Sequence, residues 1–150
     1  MDVDVVCEFR EDQVSSFVEL FDRDFYISEP AVRDAVGRKS CFSLIHLPTS
    51  FKVDIFVSRR RPFDREAMQW ACSQVLGDER TVDVPIATAE DSIVSKLEWY
   101  RLSHETSERQ WDDVSRLVKL LGDQADIAYL ENAAKSVGVS DLLTRLRAQS

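Results

Sequence analysis

CFSLIHLPTSFKVDIFV, residues 41–57, is the stretch that decides the fold. Two apolar runs, 41–47 and 51–57, flank the proline-led polar turn Pro48-Thr49-Ser50. Aromatic and β-branched runs bounded by such a turn read as two strands of a hairpin. Upstream, residues 2–9 (DVDVVCEF) repeat the strand pattern, with acids at alternate positions at its start. Between these strands the period changes. Val14, Phe17, Val18 and Phe21 fall at i, i+3, i+4 and i+7, which predicts a helix over 11–22. Phe25-Tyr26-Ile27 reads as a short extended piece. Ser28-Glu29-Pro30 then opens a short helix carrying Val32, Ala35 and Val36, with Gly37 as its expected stop.

Downstream of the hairpin, a helix is expected at 64–73. A short hairpin or pair of edge strands is expected over 75–86, around Gly77-Asp78. The remainder is helical. Thr88 with Asp91 three residues on approximates a capping box. Ile93, Val94, Leu97 and Tyr100 mark one face of the helix that follows. Ser107 caps a second helix, striped by Trp111, Val114, Leu117, Val118 and Leu121 and ended by Gly122. Ile127, Leu130, Ala133, Ala134 and Val137 stripe a third helix that stops at Gly138. Ser140 starts a last one carrying Leu142, Leu143 and Leu146. The expectation is an α+β protein. An α/β front, residues 1–86, leads without a flexible linker into a helical segment, 87–150, packed on it as one compact unit.

Composition narrows the function classes. The 150 residues are 44% hydrophobic and 31% charged, the profile of one globular domain. The net charge of −8 argues against general electrostatic binding to DNA. No apolar stretch is long enough to span a membrane, and no signal-peptide pattern stands at Met1-Asp2-Val3-Asp4, so a cytoplasmic protein is expected. Cys7, Cys41 and Cys72 are odd in number and far apart, which reads as reduced thiols acting as small hydrophobes. His46 and His104 stand alone, so no zinc site is expected, and a structural role is read for His46. No glycine-rich phosphate loop is present, which excludes P-loop and Rossmann enzymes.

The informative acids lie in strands. Asp2 and Asp4 share a strand face. Asp54 interrupts Val53-Asp54-Ile55-Phe56-Val57, one of the most apolar runs in the chain. Strands disfavour Asp, and burying an unpaired carboxylate is costly. Two carboxylates ~5 Å apart repel by roughly 3 kcal/mol at an effective dielectric of ~20, and a divalent cation reverses that sign. Oxygen-only ligands with open positions suit Mg²⁺ or Mn²⁺. The plainer readings are exposure of Asp2 and Asp4, and an ion pair between Asp54 and Lys52 on the same strand face.

Asp2-Val3-Asp4-Val5-Val6, Lys52-Val53-Asp54-Ile55-Phe56, and Ala87-Thr88-Ala89-Glu90-Asp91 leading to Lys96-Leu97 together resemble the nucleotidyltransferase superfamily. The likeness covers the whole chain. It is greatest to small bacterial nucleotidyltransferase-like proteins, distantly akin to abortive-infection toxins. The resemblance implies a mixed β-sheet flanked by helices, with Asp2 and Asp4 as paired metal ligands and Asp54 as the third carboxylate. By position, Lys96 and Asp113 would complete the site, the lysine as a point charge for the triphosphate and the Asp as base or orienter. The activity implied is Mg²⁺- or Mn²⁺-dependent transfer of a nucleotidyl group from an NTP to RNA, a protein or a small molecule. The alternative is a non-catalytic interaction module, as in a toxin–antitoxin pair. The family's hallmark helix ending in Gly-Ser precedes the paired acids, whereas this sequence opens at them. Either a longer protein or a degenerate or partner-dependent short form is therefore expected, the sequence as given is expected to lack a complete nucleotide site and so to be inactive alone, and an exposed sheet edge could drive homodimerisation.

Other groups are weighed beside these. Arg59-Arg60-Arg61, with Arg65, follows the Asp54 strand. Arg59, with Lys52, is a candidate for triphosphate contact; the plainer reading is a solvated loop balancing an acidic protein. Asp113 has a structural alternative in Arg109, four residues earlier on the same helix. Trp99-Tyr100 and Trp111 read as packing between consecutive helices rather than as base-stacking surfaces.

Overall fold

The computed structural model describes residues 2–77 and 82–149, and the fold is α+β. The elements are β1 (Asp2–Cys7), α1 (Val14–Phe21, entered through a 3₁₀ turn at Glu11–Gln13), β2 (Phe25–Tyr26), α2 (Glu29–Arg38), β3 (Cys41–His46) and β4 (Lys52–Val57). There follow α3 (Pro62–Trp70), β5 (Cys72–Leu76), β6 (Val82–Ile86), α4 (Ala89–Leu102), α5 (Glu108–Leu121), α6 (Ile127–Val137) and α7 (Ser140–Arg147). The chain divides into two compact units, Met1–Asp64 and Arg65–Ser150.

The first unit is built on a four-stranded sheet ordered β1-β4-β3-β2. β1 runs parallel to β4, while β3 is antiparallel to both β4 and β2. Side chains alternate across the sheet, so each strand has two characters. One face carries Phe42, Leu44, Ile55 and Val57, buried with Phe9, Val14, Val32, Ala35 and Val36. Phe17, Val18 and Phe21 of α1 pack onto this cluster. Edge-on ring contacts tie it together: Phe9–Phe17 at 5.0 Å and Phe17–Phe42 at 5.9 Å. The other face carries Asp4 and Val6 of β1, Lys52, Asp54 and Phe56 of β4, and Cys41, Ser43 and Ile45 of β3. β1 is an edge strand, and Val3, Val5 and Val6 are exposed.

In the second unit β5 and β6 form an antiparallel ladder, with Cys72 opposite Ile86 and Leu76 opposite Val82. The Gly77-Asp78 turn expected there includes Asp78, which lies outside the described residues. The helices bury part of the stripes that their spacing predicts: Ile127 of α6 is exposed, and Val114 is the buried member of the α5 stripe. Ile93, Val94, Leu97 and Tyr100 of α4 lie in the core, with Val114 of α5, Leu130, Ala133 and Ala134 of α6, and Leu142, Leu143 and Leu146 of α7. Thr88, Ser107 and Asp126 each accept a backbone N–H three residues on, satisfying N-terminal amides that have no intrahelical partner. Gly138 ends α6 in the left-handed conformation, at φ 80°.

Three expectations are corrected. α2 continues through Gly37 and ends where Lys39 turns left-handed, at φ 53°. Gly37 holds helical backbone, so glycine there is no stop. α3 occupies 62–70 rather than 64–73. Pro62 fits the first helical position, and the Asp64 carboxylate accepts the Arg61 N–H at 2.8 Å, closing the N-terminus there. Cys41 and Cys72 are exposed rather than acting as buried hydrophobes, and in β3 the cause is alternation, which puts Cys41 on the face away from Phe42. All three thiols are free.

Candidate functional site

The parallel pairing of β1 with β4 sets Asp4 directly opposite Asp54, and Asp2 opposite Lys52. Adjacent strands lie ~4.8 Å apart, so the register makes Asp4 and Asp54 nearest neighbours on one sheet face. Cys41 of β3 lies on the same face. Its pKa is raised by burial first, then by the charge of Asp54, with Asp4 adding and Lys52 opposing. The Asp2 backbone belongs to β1; its side chain lies outside the described residues. Among the described residues no group of three or more His, Cys, Asp or Glu side chains forms a metal-ligand cluster.

Both oxygens of Asp54 are engaged. The Ser43 hydroxyl donates to Oδ1, and Lys52 Nζ donates to Oδ2 at 2.8 Å. The Asp54 side chain is 19% exposed and that of Lys52 43%. The ion pair weighed as the plainer reading of Asp54 is therefore formed. It explains how an Asp is tolerated in this strand: the ammonium offsets the desolvation of the carboxylate, and the hydroxyl satisfies the second oxygen. The donor set still suits a hard divalent cation, because Asp4 and Asp54 offer only oxygen from opposed register positions on one sheet face.

The arginine run is partly committed elsewhere. Arg60 pairs with Glu8 at 3.3 Å, and Arg61 holds Asp64 through its guanidinium at 2.9 Å. Burial alone would raise the Asp64 pKa. The hydrogen bonds and charge of Arg61, with the charge of Arg59, outweigh it and hold the carboxyl below its usual range. Arg59 lies two residues past the end of β4 and is half-buried. Lys96 and Asp113 belong to the second unit, on α4 and α5, which pack against each other. The Tyr100 and Trp111 rings stand 5.1 Å apart in that packing, as expected for an interhelical contact. His46 shares a hydrogen bond with Thr49 Oγ1 at 2.8 Å across the β3–β4 turn, the structural role expected of it.

Two groups escaped the sequence reading. Ser43 is one, although alternation in 41–47 places it opposite Phe42 and Leu44. The other is a buried network in the second unit. Asp91 is 1% exposed and accepts the Thr88 hydroxyl at 2.7 Å and the Tyr129 hydroxyl at 2.5 Å. Burial first, then Asp91, pushes the Tyr129 phenol well above its ordinary value. Spacing flags the Thr88–Asp91 pair; nothing local flags Tyr129.

No protein-family model and no curated protein matches this sequence.

Proposed function

We propose that the chain is a nucleotidyltransferase-like protein whose open sheet face holds Mg²⁺ or Mn²⁺ and the phosphates of an NTP. The observation that carries this reading is the register of Asp4 against Asp54 on adjacent parallel strands. Asp4 and Asp54 would be ligands, with Asp2, two residues from Asp4 on the same strand, as the third. A bound divalent cation would neutralise charge on the α-phosphate and make an acceptor hydroxyl easier to deprotonate. The acceptor oxygen bonds to the α-phosphorus, the bond to the β-phosphate oxygen breaks, and pyrophosphate leaves. The acceptor proton passes to a carboxylate, for which Asp54 is the first unit's candidate. Lys52 and Arg59 are the cations of this unit proposed for the triphosphate. RNA or protein is the proposed acceptor class. Electrostatic binding to duplex DNA is disfavoured by the net charge of −8. No described helix is long and apolar enough to cross a membrane, and the site proposed is a cytoplasmic one.

The test is incubation of the full chain with α-³²P-labelled NTPs, Mg²⁺ or Mn²⁺, and total RNA or protein. Label is expected in an acceptor, with at least a hundredfold loss in Asp4→Ala and Asp54→Ala. Millimolar metal should raise the wild-type melting temperature and leave Asp54→Ala unmoved. A wild type that ignores metal refutes the reading.

A second reading, a non-catalytic module of toxin–antitoxin type, is favoured by the exposed apolar side chains of edge strand β1 and of the β5–β6 ladder, including Val6, Val75, Val82 and Ile86. Sedimentation of the chain alone tests its homodimer form. A concentration-dependent dimer that Val6→Lys dissociates is the expected result; a strict monomer removes the homodimer.

A further inference from the structure

The helices of the second unit form a cleft of about 550 Å³ that the proposed chemistry does not use. It lies where α5 gives way to α6. α5 stops at Leu121, and the chain passes through a 3₁₀ turn at Gly122–Gln124 before α6 begins at Ile127. Gly122 takes φ 50°, a left-handed value that favours glycine and breaks the helical path. Ile93 of α4, Leu130 of α6 and Leu143 of α7, all buried in the core, line the deep side of the cleft. Val118 and Leu121 of α5 are half-buried along it, and Ile127 is exposed at its rim. The lining is thus drawn from four helices and a turn, not from two helices running side by side. That is the shape of a compact site for a small molecule, of ordinary ligand-site volume, rather than a trough for a docked helix.

Three charged side chains share this lining: Lys119, Arg147 and Asp123. They sum to one positive charge, in a chain whose net charge is −8. Arg147 also pairs with Glu131 at 2.7 Å, through Nη1. Both members of that pair are solvent-exposed, at 43% and 59%, so it is a weak pair, and it leaves guanidinium N–H donors for a second acceptor. We propose that the cleft binds a free amphipathic carboxylate: one hydrocarbon chain with one carboxylate at its end. The hydrocarbon would lie on Ile93, Leu130 and Leu143, where leaving water supplies the affinity. Lys119 and Arg147 would receive the carboxylate and fix its orientation. Asp123 opposes a second negative charge, which sets the class as a monoanion. The site belongs wholly to the second unit and is independent of the metal–nucleotide reading.

The test is isothermal titration calorimetry of the full chain with octanoate and, as the uncharged control, 1-octanol. Saturable binding of one octanoate per chain is expected, with 1-octanol weaker. The double variant Lys119→Met/Arg147→Gln should weaken octanoate by roughly tenfold and leave 1-octanol unchanged. Asp123→Asn should tighten octanoate by roughly twofold. A tightening of this kind is not produced by general loosening of the fold. Ala125, which also lines the cleft, has room for a larger side chain only by filling it, so Ala125→Phe should abolish binding of both molecules. Circular dichroism establishes that each variant is folded. A wild type that takes up no octanoate at millimolar concentration overturns the proposal. Equal binding of octanoate and 1-octanol, unmoved by the charge variants, overturns the carboxylate class. A folded Ala125→Phe that binds octanoate as wild type does overturns the placement in this cleft.

Discussion

At the residue scale, Asp64 shows how a single carboxylate sets an element boundary. It accepts the Arg61 backbone N–H at 2.8 Å and the Arg61 guanidinium at 2.9 Å, with a side chain only 11% exposed. Asp64→Ala removes both and should cost about 1–2 kcal/mol. The pH dependence has a definite sign. The folded pKa lies below the unfolded value of ~3.9, so the stabilisation is complete above that value and is lost as pH falls through the folded pKa. Urea midpoints should therefore separate the two proteins by a constant margin from about pH 5 to 7 and converge below ~4. A margin undiminished in acid would show that packing, and not the charge, is responsible. Residue-scale features were legible where they broke a local rule. Asp54 announced itself as a charge in an apolar run. Ser43 and Cys41 broke no rule, and their place beside the carboxylates depends on a strand register that composition does not encode.

At the element scale, helix existence was legible from period and caps, because the stripes of α4, α6 and α7 face their own unit's core. Which helix meets which was not. Asp91 shows why. Its link to Thr88 spans three residues and follows from helix geometry, whereas its link to Tyr129 spans 38 and follows from the docking of α6 on α4. The Asp91 carboxylate is buried, so removing one of its two hydroxyl donors leaves an oxygen that water cannot readily reach. Tyr129→Phe keeps the ring and deletes the donor, and should lower stability by about 1–2 kcal/mol. Thermal denaturation checks this, and a Tyr129→Phe protein within a few tenths of a kcal/mol of wild type would mean that the oxygen is satisfied by solvent. The raised Tyr129 pKa keeps the phenol a donor throughout the neutral range, so the loss should not vary between about pH 6 and 9.

At the scale of the whole molecule, the carboxylate pair is a product of topology. Asp4 and Asp54 lie at opposite ends of a unit whose chain runs through α1, β2, α2 and β3 before β4 returns beside β1. The sequence reading paired them through family resemblance, because spacing alone cannot state that β1 and β4 adjoin or run parallel. That topology gives the metal proposal a spatial signature beyond activity. A cation held by Asp4 and Asp54 binds only the folded first unit and stabilises it by about 2.7 kcal/mol at a hundred times its dissociation constant. Amides of β1 and β4 that exchange through unfolding of this unit should slow correspondingly. Amides of α6 and α7, which carry no residue of that sheet face, should keep their rates. Hydrogen exchange with and without Mn²⁺ reads both sets in one experiment. Slowing confined to β1 and β4, and abolished by Asp54→Ala, is the expected pattern. Equal slowing in α6 and α7, or slowing that survives Asp54→Ala, would move the cation away from this face and leave Asp54 as the partner of Lys52 alone.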